Sequence, residues 1–122
     1  MYDNYCATNK LQPLTYLIVL NYNGKRLLQR CLSSLKKTRY GNMRVLVVDN
    51  GSVDGSVEMV KREFRDVEVL ALRRNLGYAA ANNLGILYSL RRGAKYVVLL
   101  NNDIEVLDPL WLYLSVKIFG KP

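Results

Sequence analysis

The sequence predicts an α/β fold in which helices cover both faces of a doubly wound, mostly parallel sheet. Four short runs rich in Val, Leu and Ile alternate along the chain with segments of helical periodicity. These runs are nearly continuous in apolar residues, as expected for strands that are covered on both faces. Because right-handed crossovers join such units, the order β-α-β-α-β-α-β-α gives a parallel sheet.

The four predicted strands span residues 16–22, 43–48, 67–72 and 96–100. Each run is far shorter than the roughly 20 apolar residues that are needed to cross a bilayer. The chain has 122 residues, of which 50% are hydrophobic. This length and composition suit one domain with a core of its own.

The first two helices are predicted from apolar residues that recur three and four positions apart. In the first helix these residues are Leu28, Cys31, Leu32 and Leu35. In the second helix, Val57, Val60 and Phe64 repeat the pattern after Asp54, which is a suitable N-cap residue.

The last two helices are predicted mainly from the residues at their ends. The third spans residues 78–92 and is closed by Gly93. The fourth opens at Asp108, which Pro109 follows, and runs to about residue 119. Together with the first two helices, they complete the alternating order.

The beginning of the chain differs from the remainder. Residues 1–12 have no clear period and are expected to form a flexible leader before one domain over residues 13–122. The first ten residues are polar and lack the apolar segment of a signal peptide. Cys6 and Cys31 are not spaced as a metal-binding pair, and there is no His to complete a zinc site. We therefore expect a cytoplasmic protein.

Positive charge is concentrated in the first third of the chain. The net charge is +8, and residues 1–44 contain eight Lys or Arg and one acid, Asp3. Such an excess suits phosphate groups or anionic lipid headgroups, although a solvated basic face without a specific partner is an equally good explanation. No strip of interleaved basic and aromatic residues is present, so we predict no nucleic-acid partner.

Polar clusters follow each predicted strand, and they begin at Asn21, Asp49, Arg73 and Asn101. In open α/β sheets, ligands bind in the crevice at the carboxyl ends of the strands. Because all four clusters fall at that edge, the sequence predicts a ligand site there. Each cluster alone has a structural explanation, since Asn, Asp, Gly and Ser are also turn formers and helix caps.

Individual residues within the clusters leave the same choice open. Asp49 suits either a helix cap or a ligand contact. Asn82 and Asn83 lie within a helical segment although Asn is a poor helix former, which suggests side chains directed at a ligand. Asp103, directly after a buried strand, is either a loop residue or a ligand for Mg²⁺ or Mn²⁺.

Several other chemistries are excluded by what the sequence lacks. Without His there is no Ser-His-Asp or Cys-His arrangement. Neither a P-loop nor a GxGxxG fingerprint follows the first strand. A flavodoxin-like signalling domain would need acids after the first strand, where this chain has Asn21-Tyr22-Asn23.

The four clusters, taken with their strands, resemble family-2 glycosyltransferases in order and spacing, most closely the rhamnosyltransferase-like members. The similar segments are LIVLNYNG, VLVVDNGSVDGS, RRNLGYAAANNLG and VVLLNNDIEV, which fall within residues 17–106. The resemblance implies a Rossmann-like half of a GT-A fold that binds a nucleoside diphosphate sugar.

The resemblance also implies roles for individual residues at the nucleotide. Asp49 would hydrogen-bond the base, with Asn50 and Ser52 beside it. The nucleotide pocket would be lined by Asn21, Tyr22 and Asn23. The residues that would approach the nucleotide and its diphosphate are Arg74, Asn75, Gly77 and Asn82.

The family's metal-binding Asp-x-Asp motif corresponds to Asn101-Asn102-Asp103. The resemblance implies that Asp103 holds Mg²⁺ or Mn²⁺, which would neutralise the leaving diphosphate. The first Asp of the motif is Asn101 in this chain, so one negative charge is absent from the expected site.

The activity implied by the resemblance is inverting transfer of a sugar to a glycan or lipid-linked acceptor. Family members supply the acceptor surface and the catalytic base from a second half, so we expect a domain that is cut short at its carboxyl end and assign no catalytic residue. A non-catalytic nucleotide-binding module is the alternative. The basic charge adds the expectation of peripheral attachment at the inner membrane face.

Overall fold

A computed structural model describes residues 12–120 and confirms the predicted fold class. All strand pairs in its four-stranded sheet are parallel, and the strand order is β3-β2-β1-β4. The strands are β1 (Thr15–Asn21), β2 (Met43–Asp49), β3 (Glu68–Ala71) and β4 (Tyr96–Asn101). The helices are α1 (Lys25–Leu35), α2 (Ser56–Glu63), α3 (Tyr78–Arg91) and α4 (Trp111–Phe119).

The helices form two unequal layers, one on each face of the sheet. On one face, α1, α2 and α4 bury their apolar sides against Leu17, Val19 and Val47. On the other face, α3 packs over Ile18 and Val48. Successive side chains of a strand point to opposite faces, so the continuous apolar runs fill both cores.

Helix α3 approaches the sheet closely because it presents small residues to it. A Cβ atom on Gly85 would lie 2.8 Å from Val48 Cγ2 and 3.0 Å from Ile18 Cγ2. Ala81 and Ser89, one turn to either side, are also fully buried. The stripe of small residues therefore sets the height of α3 above the sheet.

Two helices begin later than the sequence predicts. Helix α2 starts at Ser56, because Gly55 has a φ of +85° and ends the preceding turn. Helix α4 starts at Trp111 rather than at Asp108, whose carboxylate accepts a hydrogen bond from the Leu110 N–H in a turn. In both cases the predicted capping carboxylate stabilises a tight turn before the helix.

One strand of the sheet is covered by helices less fully than the sequence predicts. Strand β4 is less covered than expected, because α3 packs mainly on β1 and β2, and Leu99 is left 42% exposed.

The predicted leader lies outside the described residues except for Gln12, which is buried and accepts a hydrogen bond from the Gly41 N–H. No helix within residues 12–120 is long and apolar enough to span a membrane.

Candidate functional site

The strand register brings the polar clusters side by side at the carboxyl edge of the sheet. Asn21, the last residue of β1, pairs with Asp49, the last residue of β2. On the other side of β1, Leu20 pairs with Asn101 at the end of β4. The third cluster follows β3, where Ala71 pairs with Asp49. The predicted site residues therefore share one rim.

Asp49 is the buried carboxylate at the centre of this rim, with only 2% of its surface exposed. Its Oδ1 accepts hydrogen bonds from Asn21 Nδ2 at 3.0 Å and from Ser52 Oγ at 2.7 Å, and its Oδ2 accepts one from the Ser52 N–H at 2.8 Å. Two carboxylate oxygens offer about four acceptor positions. Counting the hydrogen bonds among the described residues, one acceptor position remains, on Oδ2.

Asn21 is also buried, and it uses both ends of its amide within the protein. Its Nδ2 donates to Asp49 and, at 3.3 Å, to Ser52 Oγ. Its Oδ1 accepts from Asn102 Nδ2 at 2.9 Å. A Cβ atom on Gly24 would overlap Asn102 Nδ2, so this glycine leaves the space that the contact requires.

The loops after β1 and β2 are held together by further hydrogen bonds. The Asn23 N–H donates to Ser52 Oγ at 2.8 Å, and Asn23 Oδ1 accepts from the Val53 N–H at 2.8 Å. Asn23 has a φ of +50°, a left-handed conformation that Asn tolerates better than most residues. The two loops therefore form one platform around Asp49.

Asp54 closes the same platform on its outer side. Burial alone raises the pKa of its carboxyl, but hydrogen bonds from the Ser56 hydroxyl and from the Lys25 and Ser56 N–H groups outweigh burial and hold that pKa below its usual range. A charged Asp54 thereby joins the start of α1 to the start of α2.

Asn50 anchors the loop after β3 to the platform. Its Oδ1 accepts from the Leu76 N–H at 2.8 Å, and its Nδ2 donates to the Gly77 carbonyl at 3.3 Å. Gly51 has a φ of +83°, and a Cβ atom there would lie 2.7 Å from Arg74 Cα. The loops after β2 and β3 are therefore in backbone contact, which only a glycine permits.

Several polar groups at the rim remain available to a ligand. Helix α3 begins after Gly77 without a side-chain cap, and the Asn75 side chain accepts from the Gly77 N–H instead. The Arg74 and Tyr22 side chains are exposed. Asn82, one turn into α3, is 4% exposed, and its amide forms no hydrogen bond with another residue of 12–120.

The predicted metal ligand Asp103 is exposed at the turn after β4, as is Asn101. Among the described residues no group of three Asp, Glu, Cys or His side chains lies close enough to hold an ion. The donor set of one carboxylate with neighbouring amide oxygens fits a hard cation that takes its other ligands from water and substrate phosphates. The residues present thus fit a cation that arrives with a diphosphate.

Cys31 lies beneath this turn, and its Sγ is 3.9 Å from the Asn101 carbonyl oxygen. Burial, with a smaller contribution from the charge of Asp103, raises the pKa of the thiol to about 11. A thiol that stays protonated is a poor metal ligand and a poor nucleophile. Cys31 therefore belongs to the core rather than to the chemistry of the rim.

A groove of about 1150 Å³ lies at the opposite edge of the sheet. The groove is open because β2 begins at Met43 but pairs with β3 only from Leu46 onwards. Residues 43–45 therefore have no neighbouring strand on that side. Lys36, Arg44 and Arg65 line it together with Glu63 and Asp66. None of the predicted site residues reaches this groove.

Sequence reasoning did not anticipate three residues that shape the rim. Gly24 and Gly51 permit the close contacts described above, and Asp54 joins two helix starts rather than capping one. A glycine two or three residues after the end of a strand is the sequence signal that could have indicated a close approach. The roles assigned to the other rim residues at a bound nucleotide remain predictions.

Comparison with known proteins matches residues 16–122 to the family described as glycosyl transferase family 2. A protein designated y4gI from Sinorhizobium fredii is 35% identical over 115 residues, which are 90% of this chain and 12% of that protein. The dTDP-rhamnosyl transferase RfbF of Shigella flexneri is 30% identical over 92 residues, which are 75% of this chain and 30% of that protein.

The fold also matches solved structures. The mannosyltransferase PcManGT from Pyrobaculum calidifontis, solved in complex with GDP-Man and Mn²⁺, superposes with a TM-score of 0.80 at 24% identity. The match covers 91% of this chain and 33% of that structure. The described chain thus spans about a third of the solved relative.

Proposed function

Because the chain belongs to glycosyl transferase family 2, we propose that it supplies the donor-binding half of an inverting glycosyltransferase. The enzyme passes a sugar from a nucleoside diphosphate to a glycan or lipid-linked acceptor. The observation that carries this proposal is Asp49, a buried carboxylate with one unused acceptor position beneath an open rim of polar loops.

Recognition of the base is the role that suits Asp49. The ring N–H of uracil, thymine or guanine is a donor, and a carboxylate accepts such a bond strongly. Three protein hydrogen bonds fix the orientation of the carboxylate before the ligand arrives. Tyr22, exposed in the adjoining loop, offers an aromatic face beside the base.

Recognition of the diphosphate is the role that suits the start of α3. The first N–H groups of this helix have no side-chain cap, and a helix N-terminus favours negative charge. Arg74 adds a guanidinium at the same end, and Asn82 adds an amide that is not hydrogen-bonded by the residues which the structure describes. These groups form a cradle for phosphate oxygens.

Asp103, with neighbouring amide oxygens, would hold the divalent cation, Mg²⁺ or Mn²⁺. When bound, it neutralises the charge that develops on the leaving diphosphate. Because Asn101 stands in place of the family's first Asp, this chain would hold the cation with one carboxylate. Cation binding should therefore depend on the nucleotide.

Calorimetric titration with UDP, dTDP and GDP, with and without Mn²⁺, tests this proposal. Asp49→Ala should weaken binding under both conditions, whereas Asp103→Asn should remove most of the dependence on Mn²⁺ and leave the fold intact. No binding of any nucleotide by the parent chain would refute the donor site. Unchanged metal dependence in Asp103→Asn would refute its role in holding the cation.

The alternative function, a nucleotide-binding module without catalysis, is favoured by the absence of an assigned general base. Such a base typically contributes about 10² to 10⁴-fold to the rate. Donor binding without detectable sugar transfer by the isolated chain is therefore the expected outcome. Robust transfer by this chain would show that the chain supplies its own base.

An anionic membrane is the partner proposed for helix α1, which would place the protein in the cytoplasm at the inner membrane face. Arg26 and Arg30 lie on one exposed side of this helix, and Lys37 is exposed in the turn that follows it. Within residues 12–120, none of the three forms an ion pair. Anionic headgroups would supply the missing counter-charges.

Sedimentation with anionic and neutral vesicles tests this partner. Arg30→Glu combined with Lys37→Glu should lower binding to anionic vesicles, and added salt should lower it for the parent chain. Lys61→Glu combined with Arg91→Glu changes the net charge equally on other surfaces and should retain most of the binding. Equal loss in both variants would refute a role for the α1 face.

A further inference from the structure

Asn21 stands at the junction between the two parts of the proposed donor site. It ends β1 between the last residues of β2 and β4, and only 1% of its surface is exposed. Its amide contacts Asp49 on one side and Asn102 on the other. Within residues 12–120, no hydrogen bond joins Asp49 to Asn102 directly; each bonds to Asn21.

The chemistry of these partners determines which way both amides face. A carboxylate can only accept, so Nδ2 of Asn21 must face Asp49. Oδ1 of Asn21 then faces Asn102, which must present its own Nδ2. The charge of Asp49 therefore sets the orientation of the Asn102 amide and directs Asn102 Oδ1 away from Asn21.

We propose that Asn21 is a positioning residue that couples the base-recognition platform after β2 to the cation-binding turn after β4. The inference rests on the proposed donor site for its function, although the coupling itself exists without ligand. Because Asn102 directly precedes Asp103, a change in the Asn102 amide moves the turn that carries the proposed cation ligand. Binding of a base at the platform after β2 thereby affects the turn after β4, and binding of a cation at the turn affects the platform.

Burial gives this contact its strength. Removing one partner of a buried hydrogen bond leaves the other unsatisfied, and bonds to a charged group are stronger than neutral ones. Gly24 adds a steric condition, since a side chain there would displace Asn102 from Asn21. The arrangement is therefore stiff enough to transmit a change from Asp49 to Asn102.

A set of unfolding measurements tests the coupling without any ligand. Asp49→Ala and Asn102→Ala are combined in two backgrounds, the parent chain and Asn21→Ala, and the urea midpoint of each protein is measured. We expect the two midpoint shifts to be non-additive in the parent chain and additive when Asn21 is absent. Additive shifts in both backgrounds would overturn the proposal.

Nucleotide binding gives a second readout that a merely structural role would not change. For each protein the Kd for UDP, dTDP or GDP is measured with and without Mn²⁺. The Kd without Mn²⁺ is divided by the Kd with Mn²⁺, and this ratio is compared between proteins. Asn21→Ala should lower the ratio by about 3- to 10-fold. Gly24→Ala, whose Cβ atom would overlap Asn102 Nδ2 while every side chain of the turn after β4 is kept, should do the same and covers the case in which Asn21→Ala fails to fold.

Asn50→Ala is the matched control, because Asn50 is an equally buried Asn of the same rim that anchors a different loop. It should weaken nucleotide binding with and without Mn²⁺ by the same factor and leave the ratio unchanged. An unchanged ratio in Asn21→Ala and Gly24→Ala would overturn the proposal. If the parent chain binds no nucleotide, the donor site fails, and the urea experiment still decides the coupling.

Discussion

The contact between Gly51 and the backbone of Arg74 leads to a sharp prediction for Gly51→Ala. The alanine must adopt a φ near +83°, which costs about 1–2 kcal/mol for a residue with a Cβ atom. Its Cβ atom would also lie 2.7 Å and 2.8 Å from Arg74 Cα and C, and such overpacking costs about 1–3 kcal/mol. The free energy of unfolding should therefore fall by about 2–5 kcal/mol.

Gly93→Ala separates the two contributions, because Gly93 has a φ of +90° and no neighbour within 4 Å of an added Cβ atom. It should lose only the conformational part, about 1–2 kcal/mol. Urea unfolding of the two variants, with m-values of about 1–3 kcal/mol/M, should place the Gly51→Ala midpoint about 1 M below that of Gly93→Ala. Equal midpoints would refute the close contact of the two loops.

Three further predictions concern other parts of the structure. Because the pKa of Asp54 is lowered in the folded state, this carboxylate stabilises the fold fully above the ordinary value of 3.8, and the stabilisation is lost as the pH falls through the lowered value. Asp54→Asn should therefore be less stable than the parent chain near neutral pH. The difference between their free energies of unfolding should disappear as the pH is lowered. A difference in the free energy of unfolding that does not change with pH would contradict this. Gly85→Ala should lower the free energy of unfolding by about 1–3 kcal/mol in urea, because α3 must move off the sheet, and an unchanged value would refute the close packing. In Cys6→Ser protein, the Cys31 thiol, with its pKa raised to about 11, should react with a disulfide reagent at about pH 8 only after unfolding, and rapid native reaction would contradict its burial.

The sequence was sufficient to predict the sheet, because β1 and β2 at its centre bury both faces and their apolar runs are therefore almost continuous. The runs predicted as residues 16–22 and 43–48 end within one residue of Asn21 and Asp49, which end β1 and β2 in the structure. Parallel strands share a carboxyl edge, so the location of the rim followed from the order of elements.

The interior of the rim could not be predicted from sequence, because the partners of an amide depend on register and loop shape. Asn21 and Asn82 are both buried Asn residues, yet the amide of the first is fully engaged within the protein and that of the second forms no hydrogen bond with another residue of 12–120. The strand order β3-β2-β1-β4, which places Asn21 between two neighbours, is likewise a property of tertiary packing. Exposure of Leu99 follows from the position of α3, which no local pattern reveals.

The central claim is that a nucleoside diphosphate and a divalent cation bind together at the carboxyl edge of the sheet. Amide NMR spectra of the labelled chain, recorded with UDP, dTDP or GDP and then with traces of Mn²⁺, locate both ligands. The nucleotide should shift the signals of residues 49–54 and 73–78, and paramagnetic broadening should centre on residues 101–103. Changes confined to the groove at residues 41–45 and 64–68, or no changes at all, would contradict the proposed site.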